Sequence, residues 1–216
     1  MADTKKCISY AGNSFITIKR ILDLVVSVIL LPFVFILIII VSLLILITDK
    51  GSVFYCSKRI GRYGQIFTMY KFRTMVMNAP DIRLPDGSTY NSENDARVTR
   101  LGKILRSTSI DEIPQVFNVL KGDMSFIGPR PDPIDWLDKY TDEERFFLTV
   151  RPGITGYNQA YFRNSVDGKT KILNDLFYAR NISFLLDLNI IFRTIRTIFL
   201  SDNIYVEDNR KDNNNI

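Results

Sequence analysis

The sequence predicts a mostly helical α/β fold, in which an N-terminal membrane anchor precedes a small domain of helices and short strands. Three observations support this prediction: a long apolar run near the N-terminus, two strand-like segments after it, and helical periodicity over much of the remainder. The chain divides into an N-terminal segment, an anchor, a domain and a polar tail that we expect to be disordered, at residues 1–18, 19–50, 51–200 and 201–216.

The anchor contains a run from residue 21 to residue 48 in which Asp23 is the only charge. A chain of this size cannot bury such a run in a protein core, so the run requires lipid. As a straight helix the run would measure about 42 Å, against about 30 Å for the hydrocarbon layer of a bilayer.

Two further features bear on the topology of the anchor. Pro32 lies near the middle of the run, where it removes a backbone hydrogen bond and bends a helix. The positive-inside rule places both ends in the cytoplasm, because basic residues flank both: Lys19, Arg20, Lys50, Lys58, Arg59 and Arg62. A re-entrant helix, which enters and leaves the membrane by one face, satisfies these observations. A tilted single span with a proline kink is the alternative.

The domain begins with two segments, residues 52–61 and 65–75, that are rich in β-branched and aromatic residues and are predicted to contain short strands. Helical periodicity follows at residues 98–105, and again from Ile110 until Pro114 interrupts it. The stretch 183–200 is strongly amphipathic, with Leu188, Ile191, Phe192, Ile195, Ile198 and Phe199 on one face. Such a helix either packs on the core or lies in the membrane interface, where its arginines suit anionic head groups.

Composition limits the chemistry that the chain can perform. The sequence has no histidine, which excludes a Ser-His-Asp triad, a Cys-His pair and histidine zinc ligands. Cys7 and Cys56 lie far apart and indicate neither a disulfide framework nor a metal site. The net charge is +5, and +7 on residues 1–200, which suits an anionic partner such as a phosphate ligand, acidic lipid or nucleic acid.

The segment SIDEIPQ, residues 109–115, places Asp111 and Glu112 side by side behind a serine. Helix capping is the simpler interpretation, because Ser109 and Glu112 have capping-box spacing and acidic side chains suit the positive end of a helix. Thr141 and Glu144 offer a second capping box. Without histidine, however, acid-base or nucleophilic chemistry must come from carboxylates, Lys, Tyr or hydroxyl groups, so the acidic pair is also a candidate for catalysis.

Basic residues recur between the predicted elements. Arg130 stands between two prolines, and an arginine fixed by rigid neighbours suits phosphate because its planar fork makes two hydrogen bonds. Each basic cluster taken singly is also compatible with a solvated surface. The sequence contains neither a Walker loop nor GxGxxG, which leaves the ATP-binding and Rossmann interpretations without support. It also lacks known nucleic-acid-binding motifs, so we expect no nucleic-acid partner.

Several motifs together resemble the bacterial sugar transferases, the monotopic phosphoglycosyl transferases that begin oligosaccharide assembly on a polyprenol carrier. The resemblance extends from Lys19 to about Leu200, and its most specific block runs from Leu101 to Pro131. The motifs are, in order, KRILDL, Pro32 in the apolar run, YKFRTM, LGKILRSTSIDEIPQVFNVLKGDMSFIGPRP, VRPGITG and NISFLLDLNIIF. The chain is similar to the minimal members of this family, although Tyr157, Asn158 and Ala160 depart from the common pattern and leave the identity of the sugar open.

The resemblance implies transfer of a sugar 1-phosphate from a UDP-sugar to polyprenyl (undecaprenyl) phosphate, with release of UMP, as the first membrane step of bacterial glycan assembly. It implies Mg²⁺ as cofactor, with Asp111 and Glu112 as the catalytic dyad and as candidate metal ligands. Asp111 would be the nucleophile that carries a covalent phosphosugar, and Glu112 would hold Mg²⁺ or assist the acceptor.

The resemblance also implies an architecture and a location. It implies a re-entrant membrane helix, a small cytoplasmic catalytic domain at the bacterial inner membrane, and amphipathic interfacial helices. Membrane lipid is an implied partner; downstream glycosyltransferases and a dimer are compatible with it. Six further positions match substrate-binding motif positions: Arg73, Arg106 as a phosphate clamp, Arg130 at the nucleotide, Arg151, Asp175 and Tyr178. A catalytically inactive membrane scaffold that binds anionic lipid or nucleotide sugar is the alternative function.

Overall fold

The computed structural model of the chain describes residues 13–83, 90, 92, 94–162 and 166–200. The first twelve residues of the N-terminal segment and the polar tail from residue 201 lie outside the described residues. The predictions for the tail therefore stay predictions.

The described chain is mostly helical, as the sequence predicts, with four short strands. The α-helices are α1 (Asn13–Thr48), α2 (Arg100–Ser107), α3 (Val116–Lys121), α4 (Tyr157–Tyr161), α5 (Gly168–Asn181) and α6 (Phe184–Leu200). The strands are β1 (Phe54–Ile60), β2 (Ile66–Phe72), β3 (Ser125–Ile127) and β4 (Gly153–Thr155). Short 3₁₀ helices occupy Arg62–Gly64, Ile110–Gln115, Ile134–Trp136 and Glu144–Thr149.

Helix α1 contains the predicted anchor. It continues through Pro32 as one helix of 36 residues, about 54 Å long at the usual rise. Among the described residues it is the one helix long and apolar enough to cross a membrane, and its most apolar stretch of 18 residues has a mean hydropathy of 3.4. Pro32 itself is exposed. The anchor is therefore present as a helix, and the side of the membrane on which each end lies stays a prediction.

One stripe of α1 is buried against the rest of the chain. Its members recur at intervals of four and seven residues, as expected for one face of a helix: Asp23, Ser27, Val34, Val41 and Ile45. Most other apolar side chains of α1 are exposed. The helix thus combines a narrow protein-facing stripe with a large apolar surface that suits lipid.

Both ends of α1 contact the same domain. Near its start, Arg20 donates hydrogen bonds to the carbonyl oxygens of Val119 and Leu120, at 2.6 and 3.1 Å. The ammonium group of Lys19 pairs with Asp187 of α6 at 2.6 Å. Near the other end, four buried side chains from α1, β2 and α2 form one apolar cluster: Val41, Ile45, Phe72 and Leu105. The domain therefore holds the anchor helix along most of its length.

Strands β1 and β2 lie in the two segments that were predicted to contain short strands, and they form an antiparallel hairpin, in register from Phe54 opposite Phe72 to Ile60 opposite Ile66. Phe67 and Met69 of β2 are buried because one face of the hairpin covers a core, and Phe72 is buried on the opposite face. That core contains Phe67, Met69, Val119 and Met124. The hairpin therefore packs against α3 through Phe67 and Met69 and against α1 through Phe72.

Strands β3 and β4 form a parallel pair, with Ser125 opposite Gly153 and Ile127 opposite Thr155. The chain beyond β3 passes so close to the segment before β4 that a Cβ atom at Gly128 would lie 2.2 Å from the carbonyl oxygen of Arg151. Only glycine fits such a backbone approach. The largest apolar core lies beside this pair, formed mainly by the 3₁₀ helix Glu144–Thr149, α5 and the start of α6.

The predicted amphipathic helix is confirmed as α6, and one of its faces is buried against the domain. Asp187 and Ile190 are buried, and the hydroxyl of Thr194 hydrogen-bonds that of Thr155 at 2.8 Å. The described members of the predicted apolar face are exposed, at 37% for Leu188, 40% for Ile191, 64% for Phe192 and 48% for Ile195. Core packing of that face, one of the two alternatives, is therefore wrong.

The packing of α1 on the domain generates a prediction about two isoleucines of that helix. Ile45 is fully buried and Ile47 is 74% exposed. Ile45→Ala is expected to lower the free energy of unfolding by roughly 2 to 5 kcal/mol because it leaves a cavity in the apolar cluster. Ile47→Ala removes the same atoms from a surface position and is the matched control. Denaturant unfolding in detergent micelles measures both variants, and equal effects would contradict the docking of α1.

Candidate active site

The candidate site lies where β2, the 3₁₀ helix Ile110–Gln115 and the loop after β3 meet. Asn118 of α3 is fully buried and fixes this meeting point. Its side-chain oxygen accepts a hydrogen bond from the Tyr70 N–H at 3.1 Å, and its Nδ2 donates to the Thr68 carbonyl at 2.7 Å. Asn118 thus pairs with the edge of β2 as a neighbouring strand would, and it holds the acidic segment just before α3 against that strand.

The acidic pair lies in the first turn of the 3₁₀ helix Ile110–Gln115. The predicted capping by Ser109 is wrong, because Ser109 adopts a left-handed conformation with φ 58° and its side chain makes no capping hydrogen bond. Ile110 and Ile113 pack against the apolar cluster that contains Val41 and Ile45 of α1. Asp111 and Glu112 lie between these two isoleucines in the sequence. The acidic pair is therefore adjacent to residues that pack against the anchor helix.

The second predicted capping box is confirmed. The Thr141 N–H donates to the Glu144 carboxylate at 2.8 Å, and the Glu144 N–H donates to the Thr141 hydroxyl at 3.3 Å. The two segments with capping-box spacing thus differ. Glu144 caps its helix, whereas Glu112 binds cations.

Two cations contact Glu112. Lys71 Nζ lies 2.6 Å and an Arg130 terminal nitrogen 2.9 Å from the same oxygen, Glu112 Oε1. The nearest cation to Asp111 is Lys71, at 3.9 Å from Asp111 Oδ2. Asp111 is 8% exposed, and its carboxylate accepts no hydrogen bond from the residues that the structure describes. Glu112 is therefore restrained by two charge-assisted hydrogen bonds, whereas Asp111 is buried but unrestrained.

The surroundings move the pKa values of the two carboxyls in opposite directions. Burial raises the pKa of Asp111, the charge of Lys71 opposes this, and the adjacent Glu112 adds to it. Burial would also raise the pKa of Glu112, but Arg130 and Lys71 together lower it to about 2. The pair thus combines one carboxylate that stays ionised with one whose charge is less favoured, an arrangement typical of carboxylates with different chemical roles.

A second polar network supports the loop that carries Arg130. Lys171 Nζ donates to the Arg130 carbonyl at 3.3 Å and pairs with Asp132 at 2.7 Å and Asp175 at 2.9 Å. The Tyr140 hydroxyl donates to the same Asp132 oxygen at 2.7 Å. Burial raises the pKa of Asp175 to about 6, although Lys171 opposes the shift. Asp175, a predicted substrate-binding residue, is thus linked to the site through Lys171 and does not contact the acidic pair.

Two other predicted residues hold the backbone or a hydroxyl near the site. Arg106 donates from Nε to the Thr74 hydroxyl at 2.9 Å, and its charge acts on Asp111. Arg73 is 7% exposed and donates to the carbonyl of Lys50 at 2.5 Å, just after the end of α1. Arg106 thus borders the site, whereas the hydrogen bond of Arg73 to Lys50 secures the chain that leaves the anchor.

The remaining two predicted residues lie toward the start of α1. Arg151 donates from Nε to the Gly122 carbonyl at 2.9 Å. The fully buried Tyr178 hydroxyl donates to Asp187 at 2.8 Å, and Asp187 is the partner of Lys19. No hydrogen bond or ion pair in the described part of the chain joins either residue to the acidic pair.

Two lysines contribute to the site although they were not singled out as site residues from the sequence. Lys71 lies in the motif YKFRTM without a role of its own, and Lys171 shows no signal beyond its spacing of four residues from Asp175. The period of β2 places Lys71 on the same face as the buried Phe67 and Met69, and a charged residue at such a position was the available signal for the first.

The acidic pair is compatible with the Mg²⁺ that the family resemblance implies. The described residues contain no group of three or more His, Cys, Asp or Glu side chains that could hold a metal ion. Mg²⁺ is, however, commonly held by one or two carboxylates together with substrate phosphates and water. The unrestrained oxygens of Asp111 and the free oxygen of Glu112 fit that kind of shared site.

A family comparison agrees with this picture of the chain. The family model described as "Bacterial sugar transferase" matches residues 14–201. The match includes α1, the acidic segment and the whole described domain.

Curated relatives carry names from carbohydrate biosynthesis. "Undecaprenyl-phosphate galactose phosphotransferase" of Salmonella typhimurium is 39% identical over 168 residues, which cover 73% of this chain and 35% of that protein. "UDP-N-acetylgalactosamine-undecaprenyl-phosphate N-acetylgalactosaminephosphotransferase" of Aeromonas hydrophila is 41% identical, covering 84% and 43%. "Exopolysaccharide production protein ExoY" of Sinorhizobium fredii is 38% identical, covering 87% and 88%. The chain thus spans less than half of the first two relatives and most of the third.

The restraint of Glu112 generates a prediction about Lys71. Lys71→Met leaves the buried carboxylates with less compensating charge and is expected to lower the free energy of unfolding by about 2 kcal/mol. Lys58→Met is the matched control, because Lys58 is exposed and hydrogen-bonds only Thr68 among the described residues.

A double-mutant cycle tests whether the stability lost in Lys71→Met depends on the carboxylate of Glu112. In the Glu112→Gln background, Lys71→Met should cost clearly less, because the charge that Lys71 compensates is gone. Denaturant unfolding in detergent micelles measures all four proteins. Strictly additive effects would show that Lys71 stabilises the fold without acting through Glu112.

Proposed function

The chain belongs to the bacterial sugar transferase family, and we propose that it transfers a sugar 1-phosphate from a UDP-sugar to polyprenyl phosphate, with release of UMP. The observation that carries the proposal is the buried Asp111–Glu112 pair, flanked by Lys71 and Arg130 and adjacent to residues that pack against an apolar helix. The names of the two phosphotransferase relatives support undecaprenyl phosphate as the acceptor and a UDP-sugar as the donor.

The reaction requires a site at the membrane surface, because the donor is water-soluble and the acceptor is a lipid. The structure supports such a location through α1. Lys19 and Ile45 both contact the domain although they lie about 39 Å apart along the helix. If α1 crossed the bilayer, one polar domain would have to lie on both sides of about 30 Å of hydrocarbon.

We therefore propose that α1 is re-entrant and that the domain rests on the cytoplasmic face of the inner membrane. The exposed apolar face of α6 supports this, since Phe184 and Leu185 at its start are 56% and 76% exposed. The pair between Lys19 and Asp187 joins the starts of α1 and α6. Two apolar surfaces thus leave the domain from adjacent positions, as an interfacial protein requires.

In the first chemical step, a carboxylate oxygen of Asp111 attacks the sugar-bearing phosphorus of the UDP-sugar. A bond forms between this oxygen and phosphorus, and the bond from phosphorus to the bridging oxygen breaks. UMP leaves with the bonding electron pair, and Asp111 carries the sugar phosphate as an acyl phosphate. The carboxylate of Asp111 accepts no hydrogen bond within the described part of the chain, which supports its assignment as the nucleophile, whereas Glu112 is held by two cations.

In the second step, a phosphate oxygen of polyprenyl phosphate attacks the same phosphorus, and the bond to Asp111 breaks. The carboxylate is restored, and the product is a polyprenyl-diphosphate sugar. Mg²⁺ bound at the two carboxylates would neutralise charge on the phosphate oxygens during both displacements. Glu112 stays ionised because its pKa is about 2, so it can act as a permanent anionic ligand or orient the acceptor.

The cations near the acidic pair are proposed to bind the phosphate groups of the two substrates. The Arg130 side chain is 42% exposed and reaches Glu112 from a loop that Lys171 supports, so it can contact a diphosphate without leaving the site. Lys71 lies between both carboxylates and can neutralise an attacking phosphate. Arg106, which borders the site, is proposed as a further phosphate ligand.

The re-entrant topology predicts that both ends of the anchor are accessible from the cytoplasm. Single cysteines at Lys5 and Lys50, on a background without Cys7 and Cys56, should resist a membrane-impermeant maleimide in spheroplasts and react after permeabilisation. Pro32→Leu should expose a fraction of the Lys5 label to the periplasm, because the unbroken backbone hydrogen bonding favours a straight span. Labelling of Lys5 in intact spheroplasts of the unmodified anchor would establish a full span.

The chemistry predicts turnover that depends on Asp111. The purified chain, given a UDP-sugar, Mg²⁺ and polyprenyl phosphate, should release UMP, and a panel of UDP-sugars identifies the donor. Without acceptor, the chain should gain the mass of one phosphosugar, and peptide mapping should place this mass on Asp111. The adduct should be lost on treatment with hydroxylamine.

Asp111→Asn should abolish both the adduct and turnover while leaving the fold intact, because it removes the nucleophilic anion at nearly constant size. Asp135→Asn, which changes an exposed acid in the 3₁₀ helix Ile134–Trp136, is the matched control and should retain activity. Substantial turnover by folded Asp111→Asn, or an adduct on another residue, would contradict the assignment. Absence of UMP release with every donor would leave the scaffold alternative as the better account.

A further inference from the structure

A basic cleft lies between the start of α1 and the segment that joins α5 to α6. Its volume is about 310 Å³ when the solvent at its open mouth is included. Three arginines line it, Arg20, Arg62 and Arg151, together with apolar side chains that include Ile16 and Ile182. The cleft is separate from the acidic pair in electrostatic terms, because none of the three arginines is among the main charges that act on Asp111 or Glu112.

Backbone carbonyls fix the arginines at the wall of the cleft. Arg62 donates from Nε to the Thr149 carbonyl at 2.8 Å, and Arg151 donates from Nε to the Gly122 carbonyl at 2.9 Å. Arg20 donates to two carbonyls at the end of α3. These contacts orient the guanidinium groups without neutralising their charge.

The carboxylates near the cleft do not balance its positive charge. Among the described residues, neither Arg62 nor Arg151 forms an ion pair with a carboxylate. Asp23 lines the cleft and accepts a hydrogen bond from the Phe126 N–H at 3.2 Å. Lys19, which also lines it, is already paired with Asp187.

The arginines are close enough to repel one another. Burial lowers the pKa of Arg151, and the charges of Arg62 and Arg20 lower it further. Such a cluster is favourable only when an anion offsets the repulsion, and a planar guanidinium is well suited to bind phosphate oxygens.

The position of the cleft indicates where that anion comes from. Ile16 lies near the start of the apolar helix α1, and Ile182 lies two residues before α6. Both apolar surfaces of the molecule therefore begin at the rim of the cleft, which places its arginines at the level of lipid head groups. Basic pockets between membrane helices on the cytoplasmic side commonly bind anionic head groups.

We propose that the cleft formed by Arg20, Arg62 and Arg151 binds the phosphate of an anionic membrane phospholipid. The lipid chains would lie along α1 and α6, and the bound head group would fix the depth and tilt of the domain in the membrane. The inference depends on membrane association of the chain and not on sugar-phosphate transfer.

The test measures lipid binding to the full chain in detergent micelles by native mass spectrometry, without any nucleotide sugar. The probe is phosphatidylglycerol, with phosphatidylcholine as a comparison lipid that carries no net charge. The unmodified chain should bind phosphatidylglycerol at least about tenfold more tightly than phosphatidylcholine. Arg62→Gln should weaken phosphatidylglycerol binding about tenfold, because it removes a charge-assisted hydrogen bond.

Two variants control for charge and folding. Lys169→Gln removes the same charge from an exposed site near the start of α5, about 20 Å along that helix from Ile182, and should bind lipid as the unmodified chain does. Arg62→Lys keeps the charge and should retain most of the binding, which distinguishes loss of an anion site from loss of the fold. If Arg62→Gln unfolds, the unmodified chain provides the test. Its tenfold preference for phosphatidylglycerol should disappear at high salt, because salt screens the charges of the arginines.

Three results would overturn the proposal. Equal binding of both lipids by the unmodified chain would show that the cleft selects no anionic head group. Phosphatidylglycerol binding that Arg62→Gln leaves unchanged would place the lipid elsewhere. Binding of polyprenyl phosphate or inorganic phosphate, but not phosphatidylglycerol, in an Arg62-dependent manner would assign the cleft to the acceptor or to a free anion.

Discussion

The packing of α1 along the domain is the constraint on which the rest of the structure depends. Polar contacts hold the start of the helix, from Lys19 to Asp23, and an apolar cluster holds its end at Val41 and Ile45. Because Ile110 and Ile113 complete that cluster, the docking of the anchor also fixes the acidic segment. The position of the anchor helix and the position of the acidic pair are therefore consequences of the same contacts.

Within the site, the two neighbouring carboxylates have different surroundings. Lys71 and Arg130 both contact one oxygen of Glu112, whereas the nearest cation to the buried Asp111 among the described residues is Lys71, at 3.9 Å. The resulting shifts of their pKa values in opposite directions follow from this asymmetry. Glu112 is suited to hold charge and Asp111 to form a bond, which is the division that two successive displacements at phosphorus require.

Features that depend on local pattern could be predicted from the sequence: the apolar anchor, the two segments that contain β1 and β2, and the amphipathic α6. The acidic pair was found as well, by its place in a motif and by the absence of histidine. The prediction that Ser109 and Glu112 form a capping box was wrong. The Glu112 side chain pairs with Lys71, which is distant in the sequence, and does not bind the helix terminus. Lys71 lies 41 residues from its partner Glu112, and Lys171 lies 39 from Asp132, so no periodicity in one sequence could pair them. The separation of Arg151 and Tyr178 from the acidic pair is equally a property of the folded chain.

The stereochemical course at the transferred phosphorus tests the central claim most directly. A UDP-sugar in which sulfur replaces one non-bridging oxygen on the sugar-bearing phosphorus is a pair of separable diastereomers, and either one can serve as donor. Each in-line displacement inverts the phosphorus, so attack by Asp111 followed by attack of polyprenyl phosphate should give a product with net retention of configuration. Net inversion would show a single direct displacement and would contradict a covalent role for Asp111.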